Sequence, residues 1–235
     1  MQRVAAAGFT IAYERAGHGP SLLLLHGGAS DAGEWRAAAA ALAADHDAVA
    51  WDAPGCGGSS DPPAHFSLPG YADVLAAFMT AVGLRDAHVA GLSFGGGLAI
   101  QLAERHPRRV RSLVLVSAYA GWAGSLPPAE VGARRRTVAE ELRHPEPGVR
   151  PVAAMTMLDA FAQADLRDAL PGIRVPTLVV HGSEDVRAPR PVAEALRDGI
   201  PGARMVVLQG AGHVCTIDAP DRLAAAMREF LGTVR

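Results

Sequence analysis

Cysteine is scarce in this chain: its 235 residues include only Cys56 and Cys215. That rules out the disulfide framework of a small secreted scaffold. Neither cysteine sits in a Cys-x-x-Cys or Cys/His spacing, and the nine histidines show no His-Glu-x-x-His pattern. No metal is therefore expected, and no motif calls for another cofactor. No apolar run approaches the roughly 20 residues that a membrane-crossing helix needs. The opening Met1-Gln-Arg-Val-Ala-Ala-Ala-Gly8 lacks the apolar core of a signal peptide, so a cytoplasmic protein without a membrane partner is expected. Net charge is also small, at -2, which gives no basic field to neutralise phosphates and excludes nucleic-acid binding. Small molecules remain as the expected partners of a monomer or homodimer. With 49% hydrophobic residues, the chain can bury a substantial core as one domain.

The most informative motif is Gly91-Leu92-Ser93-Phe94-Gly95, a G-x-S-x-G pattern. Ala87 to Ala90 before it read as a short buried strand. Leu98, Ile100, Leu102 and Ala103 after it recur at helical spacing until His106-Pro107. Strand, sharp turn and helix thus meet at Ser93, where Gly91, Gly95, Gly96 and Gly97 leave room for a strained backbone and a close helix. The plain alternative is a loop serine that caps the helix. As a nucleophile, Ser93 would need a base, and the base a partner to fix its tautomer. Pro176-Thr-Leu-Val-Val-His181 reads as a strand that leads to Asp185, with Glu184 as the other acid to consider. Arg204 to Leu208 reads as another strand, followed by Gln209-Gly-Ala-Gly212-His213. Both Asp185 and His213 then lie beyond carboxyl ends of strands, where open α/β sheets place their chemistry. Leu22 to Leu25 ends in His26-Gly27-Gly28, a turn of small residues able to present a backbone N–H. Gly28 and Phe94 are the two candidate oxyanion donors. His26 reads as a brace for that turn.

With Ser93, Asp185 and His213 in that order, the chain resembles the α/β-hydrolase superfamily over nearly its whole length, in particular its small serine esterases and lactonases. Asp52-Ala-Pro54-Gly55-Cys-Gly57-Gly-Ser59 matches the family's D-x-x-G-x-G-x-S loop, which the resemblance makes structural. His213-Val-Cys-Thr-Ile-Asp-Ala-Pro220 has the family's look around its catalytic histidine. The resemblance implies an α/β-hydrolase fold: a mostly parallel, eight-stranded twisted sheet with helices on both faces and a short helical cap. It also implies a triad of Ser93, Asp185 and His213 and hydrolysis of a carboxylic ester or lactone through an acyl-enzyme.

Residues 1–235 are expected to form one domain, interrupted at about 121–170 where the strand and helix alternation stops. Trp122, Met155 and Phe161 are the candidate substrate-binding residues of that cap, with Tyr119, Leu126, Met157 and Leu158 as further apolar candidates. The alternative role for all of these is to glue the cap to the body. Arg134-Arg135-Arg136 reads as a solvated helix face, or else as an attraction for an acidic substrate group. A helix over Ala32–Ala43 is expected to bury Trp35, Ala39 and Leu42. A C-terminal helix is expected to bury Leu223, Ala226, Met227, Phe230 and Leu231. Competing readings on the same fold are an enol-lactonase or carbon–carbon bond hydrolase of aromatic degradation, a cofactor-free perhydrolase and a non-catalytic small-molecule receptor.

Overall fold

The computed structural model describes every residue except Glu146, Pro147 and Arg235. Strands β1 (Gln2–Ala6) and β2 (Phe9–Ala16) form an antiparallel ribbon at one edge of the sheet. Then follow β3 (Ser21–Leu25), α1 (Arg36–Leu42), β4 (Asp47–Trp51), α2 (Leu68–Ala81), β5 (Ala87–Leu92), α3 (Phe94–Arg105) and β6 (Val110–Val116). Two inserted helices, α4 (Pro128–Glu141) and α5 (Pro151–Gln163), precede β7 (Thr177–Gly182), α6 (Arg190–Gly199), β8 (Arg204–Leu208), α7 (Cys215–Asp218) and α8 (Pro220–Leu231). The eight strands lie in the order β1-β2-β4-β3-β5-β6-β7-β8, and every pairing from β4 onward to β8 is parallel.

Alternation along the central strands divides the interior into two layers. Leu23, Leu25, Val89, Leu113, Leu115 and Val179 face the layer covered by α2, α3 and α6. Leu22, Leu24, Ala90, Val114, Val116 and Val180 face the layer covered by α1 and α8. Strands apolar on both faces can only sit between two helical layers. This holds the carboxyl ends of β3, β5, β7 and β8 side by side, where the candidate residues lie. None of the described helices is long and apolar enough to cross a membrane.

Two helical stripes differ from expectation. Ala32–Trp35 is a 3-10 turn, and α1 begins at Arg36 and buries Ala38 in place of Ala39. The tighter winding of the first turn rotates the helix that follows. In α8, Ala224 is buried and Ala226 is half-buried. The face through Leu223, Met227 and Leu231 runs at i, i+4 and i+8, and Ala224 lies on it.

At the opposite end of β5, His88 is buried with its Nδ1 2.8 Å from Ser112 Oγ and its ring 6.2 Å from that of His46. Burial, helped by the nearby Arg111 and His46 and opposed by Asp86, lowers its pKa to about 4. The unfolded chain then binds this proton more readily than the folded one. The contribution is present above pH 6.5 and disappears as pH falls toward 4. Between pH 6.5 and 5 the loss should be about 2 kcal/mol, at 1.36 kcal/mol per pH unit. Urea unfolding of wild type and His88→Gln across this range should show a shallower slope in the variant. Equal slopes would exclude His88 as the source.

Candidate active site

Ser93 joins β5 to α3 with φ 51° and ψ -109°, a conformation that L-residues seldom adopt. Its N–H donates to Val116 O at 2.9 Å, and its carbonyl accepts from Gly96 and Gly97 N–H at 3.0 and 3.2 Å. A Cβ at Gly91 would overlap the backbone of Gly95, and one at Gly95 would overlap the carbonyls of Leu25 and His26. Small residues are therefore required on both sides of the serine.

Asp185 is buried in the loop after β7. Both of its oxygens lie 3.0 Å from Nδ1 of His213, and Oδ1 also accepts from Arg187 N–H at 2.9 Å and Ala188 N–H at 2.8 Å. Burial pushes the carboxyl up. The hydrogen bond and charge of His213, the Ala188 N–H and the Ser117 hydroxyl outweigh it and hold Asp185 below the ordinary carboxylate range. An ionised Asp185 accepts a hydrogen bond from the Nδ1–H of His213, leaving Nε2 as the basic nitrogen. Among the described residues, no hydrogen bond joins Ser93 Oγ to His213. Such contacts are often long before substrate is bound. Glu184 is exposed and makes no bond to His213.

The turn after β3 uses its groups in a fixed order. Gly27 N–H donates to Glu34 Oε2 at 2.6 Å, which engages that donor. Buried His26 bonds Gly27 O through Nδ1 at 2.6 Å and meets Ala53 N–H with Nε2 at 2.9 Å, so it braces the turn. Gly28 is exposed and its N–H has no partner among the described residues. A Cβ at Gly28 would lie 4.0 Å from Phe94 Cβ. Phe94 is the first residue of α3, so its N–H has no intrahelical acceptor. Two unengaged donors thus stand near Ser93, one of them at a helix N-terminus. Behind them, Asp52 accepts Ala32 N–H at 2.8 Å and Gly58 N–H at 2.7 Å, giving the β4 loop a structural carboxylate.

An aromatic wall runs from this site to the inserted helices. The Phe161 ring lies 5.5 Å from Phe94, 6.0 Å from Tyr119 and 6.1 Å from Trp122, and Tyr119 lies 6.3 Å from the His213 ring. Phe161 is buried against Gly97 and Phe94, and it joins the inserted segment to the body. Met155 is placed elsewhere. It lines a cavity of about 710 Å³ with Phe66, Leu68, Gln101, Leu142 and Leu166, whose walls include neither Ser93, Gly28 nor His213. Arg134 and Arg135 are paired within the fold, to Glu130 and Asp159. Cys56 and Cys215 are buried free thiols. Among the described residues, no cluster of three or more His, Cys, Asp or Glu could hold a metal ion. The sequence reading missed Ser117 and Tyr119 as neighbours of the Asp185–His213 pair. Their position directly after an apolar strand, β6, was the available signal.

Residues 20–147 match the family profile described as alpha/beta hydrolase fold. The chain belongs to the α/β-hydrolase family. Residues 155–235 of this α/β hydrolase match a profile described as TAP-like protein. The hydrolase is 31% identical over 253 residues to the proposed carbamate hydrolase RutD of Azorhizobium caulinodans, covering 94% of this chain and 95% of that one. It is 29% identical to a pimeloyl-[acyl-carrier protein] methyl ester esterase of Aeromonas hydrophila, over 95% of this chain and all of that one. Among solved structures, a thermophilic esterase from Thermogutta terrifontis superposes with a TM-score of 0.88 at 27% identity, covering 100% of this chain and 99% of that one.

Proposed function

We propose that the protein hydrolyses a carboxylic ester or lactone of a small, largely apolar molecule through an acyl-enzyme on Ser93. The observation that carries this reading is the buried Asp185 with both oxygens 3.0 Å from His213 Nδ1, in a fold whose β5–α3 turn holds Ser93 in a strained conformation. In the proposed reaction, His213 Nε2 takes the Ser93 proton as Oγ attacks the carbonyl carbon. The N–H groups of Gly28 and Phe94 receive the oxyanion, and the alcohol leaves with a proton from His213. His213 then activates water to release the acid. The aromatic wall of Tyr119, Trp122 and Phe161 favours apolar substrates over charged ones, as do the internal pairings of Arg134 and Arg135. Two free buried thiols fit a reducing compartment, which supports a cytoplasmic location.

The test is turnover of p-nitrophenyl esters of graded chain length and of several lactones by wild type and Ser93→Ala. Hydrolysis that falls at least about 10⁴-fold in folded Ser93→Ala is expected. Activity that survives the substitution would remove Ser93 from the mechanism. Wild type that is silent on the panel and unreactive toward an organophosphonate would favour a binding protein.

A further inference from the structure

Helix α4 contains no buried residue, and apart from the partly buried Val131 its apolar side chains do not tie it to the core. Arg134 does. Its Nε and Nη2 donate to Glu130 Oε1 at 3.1 and 2.6 Å, its Nη1 to Tyr119 Oη at 2.9 Å, and its Nη2 also to the Arg187 carbonyl at 2.7 Å. The guanidinium lies 5.8 Å from the ring centres of both Tyr119 and Trp122. Tyr119 Oη donates to the same Arg187 carbonyl at 2.5 Å, so two donors from different parts of the fold converge on one acceptor.

That acceptor bears directly on the candidate acid. The N–H groups of Arg187 and Ala188 are the two backbone donors to Asp185 Oδ1. The Tyr119 ring, held by Arg134, is also the aromatic neighbour of His213. Arg134 therefore touches both supports of the Asp185–His213 pair without touching either residue. Its guanidinium is already engaged by a carboxylate, a carbonyl and a hydroxyl, which leaves it poorly placed to receive an acidic substrate group. A lysine could supply charge here, but its three donors radiate from one nitrogen and cannot span the three acceptors as the Nε, Nη1 and Nη2 of the planar fork do.

We propose that Arg134 is a positioning residue, reaching from α4 to the Arg187 carbonyl to keep the Asp185 loop in the geometry that orients His213. This inference rests on the ester-hydrolase reading above for its catalytic consequence. Its structural consequence can be read separately. Arg134→Met is expected to lower kcat about 10-fold on a small ester, with KM within about twofold of wild type. The rate of Ser93 phosphonylation should fall by the same factor, because that reaction also needs an oriented His213. Amide exchange at Arg187 and Ala188 should speed up about 10-fold. Arg134→Lys, which keeps the stem and charge, should lose about threefold and serves if the methionine variant folds poorly. The proposal is overturned if only KM or Tm changes, or if exchange rises in α4 and α5 while Arg187 and Ala188 keep their protection. If wild type shows neither Ser93-dependent hydrolysis nor labelling, the ester-hydrolase reading fails, and the exchange data still decide whether Arg134 holds the loop.

Discussion

Gly95→Ala should destabilise the protein by about 3 kcal/mol or more, a large share of the 5–15 kcal/mol that folded domains possess. The added Cβ would overlap the carbonyls of Leu25 and His26, which belong to β3 and to the turn that follows it. Neither is the end of a flexible side chain that can swing aside. Relief requires α3 to move away from the sheet, and that opens gaps around Leu98 and Ile100, which are both fully buried. The same movement would separate Ser93 from Gly28, so any variant that folds should also lose turnover. Gly172→Ala is the control: a Cβ there meets nothing within 4 Å, and its φ is not positive. Urea unfolding should place Gly172→Ala within about 0.5 kcal/mol of wild type. Similar costs for the two substitutions would overturn the account of why glycine follows the Ser93 turn.

The Ser93 turn and the loops of Asp185 and His213 were legible because each is a local pattern: an apolar strand that stops at small or polar residues. Strands β3, β5, β7 and β8 were readable this way, and the parallel sheet then brings their ends together whatever lies between. The inserted helices were not readable in this manner. Met155, Met157 and Phe161 are equally apolar, but Met157 and Phe161 lie one turn apart on the face of α5 that meets the body, with Ala153 and Ala154. Met155 is two residues, or about 200°, from Met157 and so points to the other side. Arg134 illustrates a second limit. Its neighbour Arg135 is a half-exposed helix cation paired with Asp159, and Arg136 is exposed, as a charge run usually is. The partners of Arg134 that matter, Tyr119 and the Arg187 carbonyl, stand 15 and 53 residues away in sequence. No periodicity in α4 reveals a contact with a backbone oxygen on another loop.

Asp185→Asn should reduce kcat by roughly 10³–10⁴-fold while leaving the fold intact. The amide oxygen of the substituted side chain can still accept the N–H groups of Arg187 and Ala188, so the loop keeps its two backbone bonds. The amide NH₂ then faces His213 Nδ1, which must become the acceptor. The imidazole proton moves to Nε2, and the nitrogen that takes the Ser93 proton in the proposed reaction already carries one. The charge that would steady the imidazolium is lost as well. Glu184→Gln, at the adjacent exposed position, should change kcat by less than about twofold, because that carboxylate makes no bond to His213. Steady-state turnover of the two variants on one ester, with thermal unfolding to confirm the fold, separates the candidates. A severe loss in Glu184→Gln with near-normal turnover in Asp185→Asn would reassign the acid and, with it, the direction from which His213 is held.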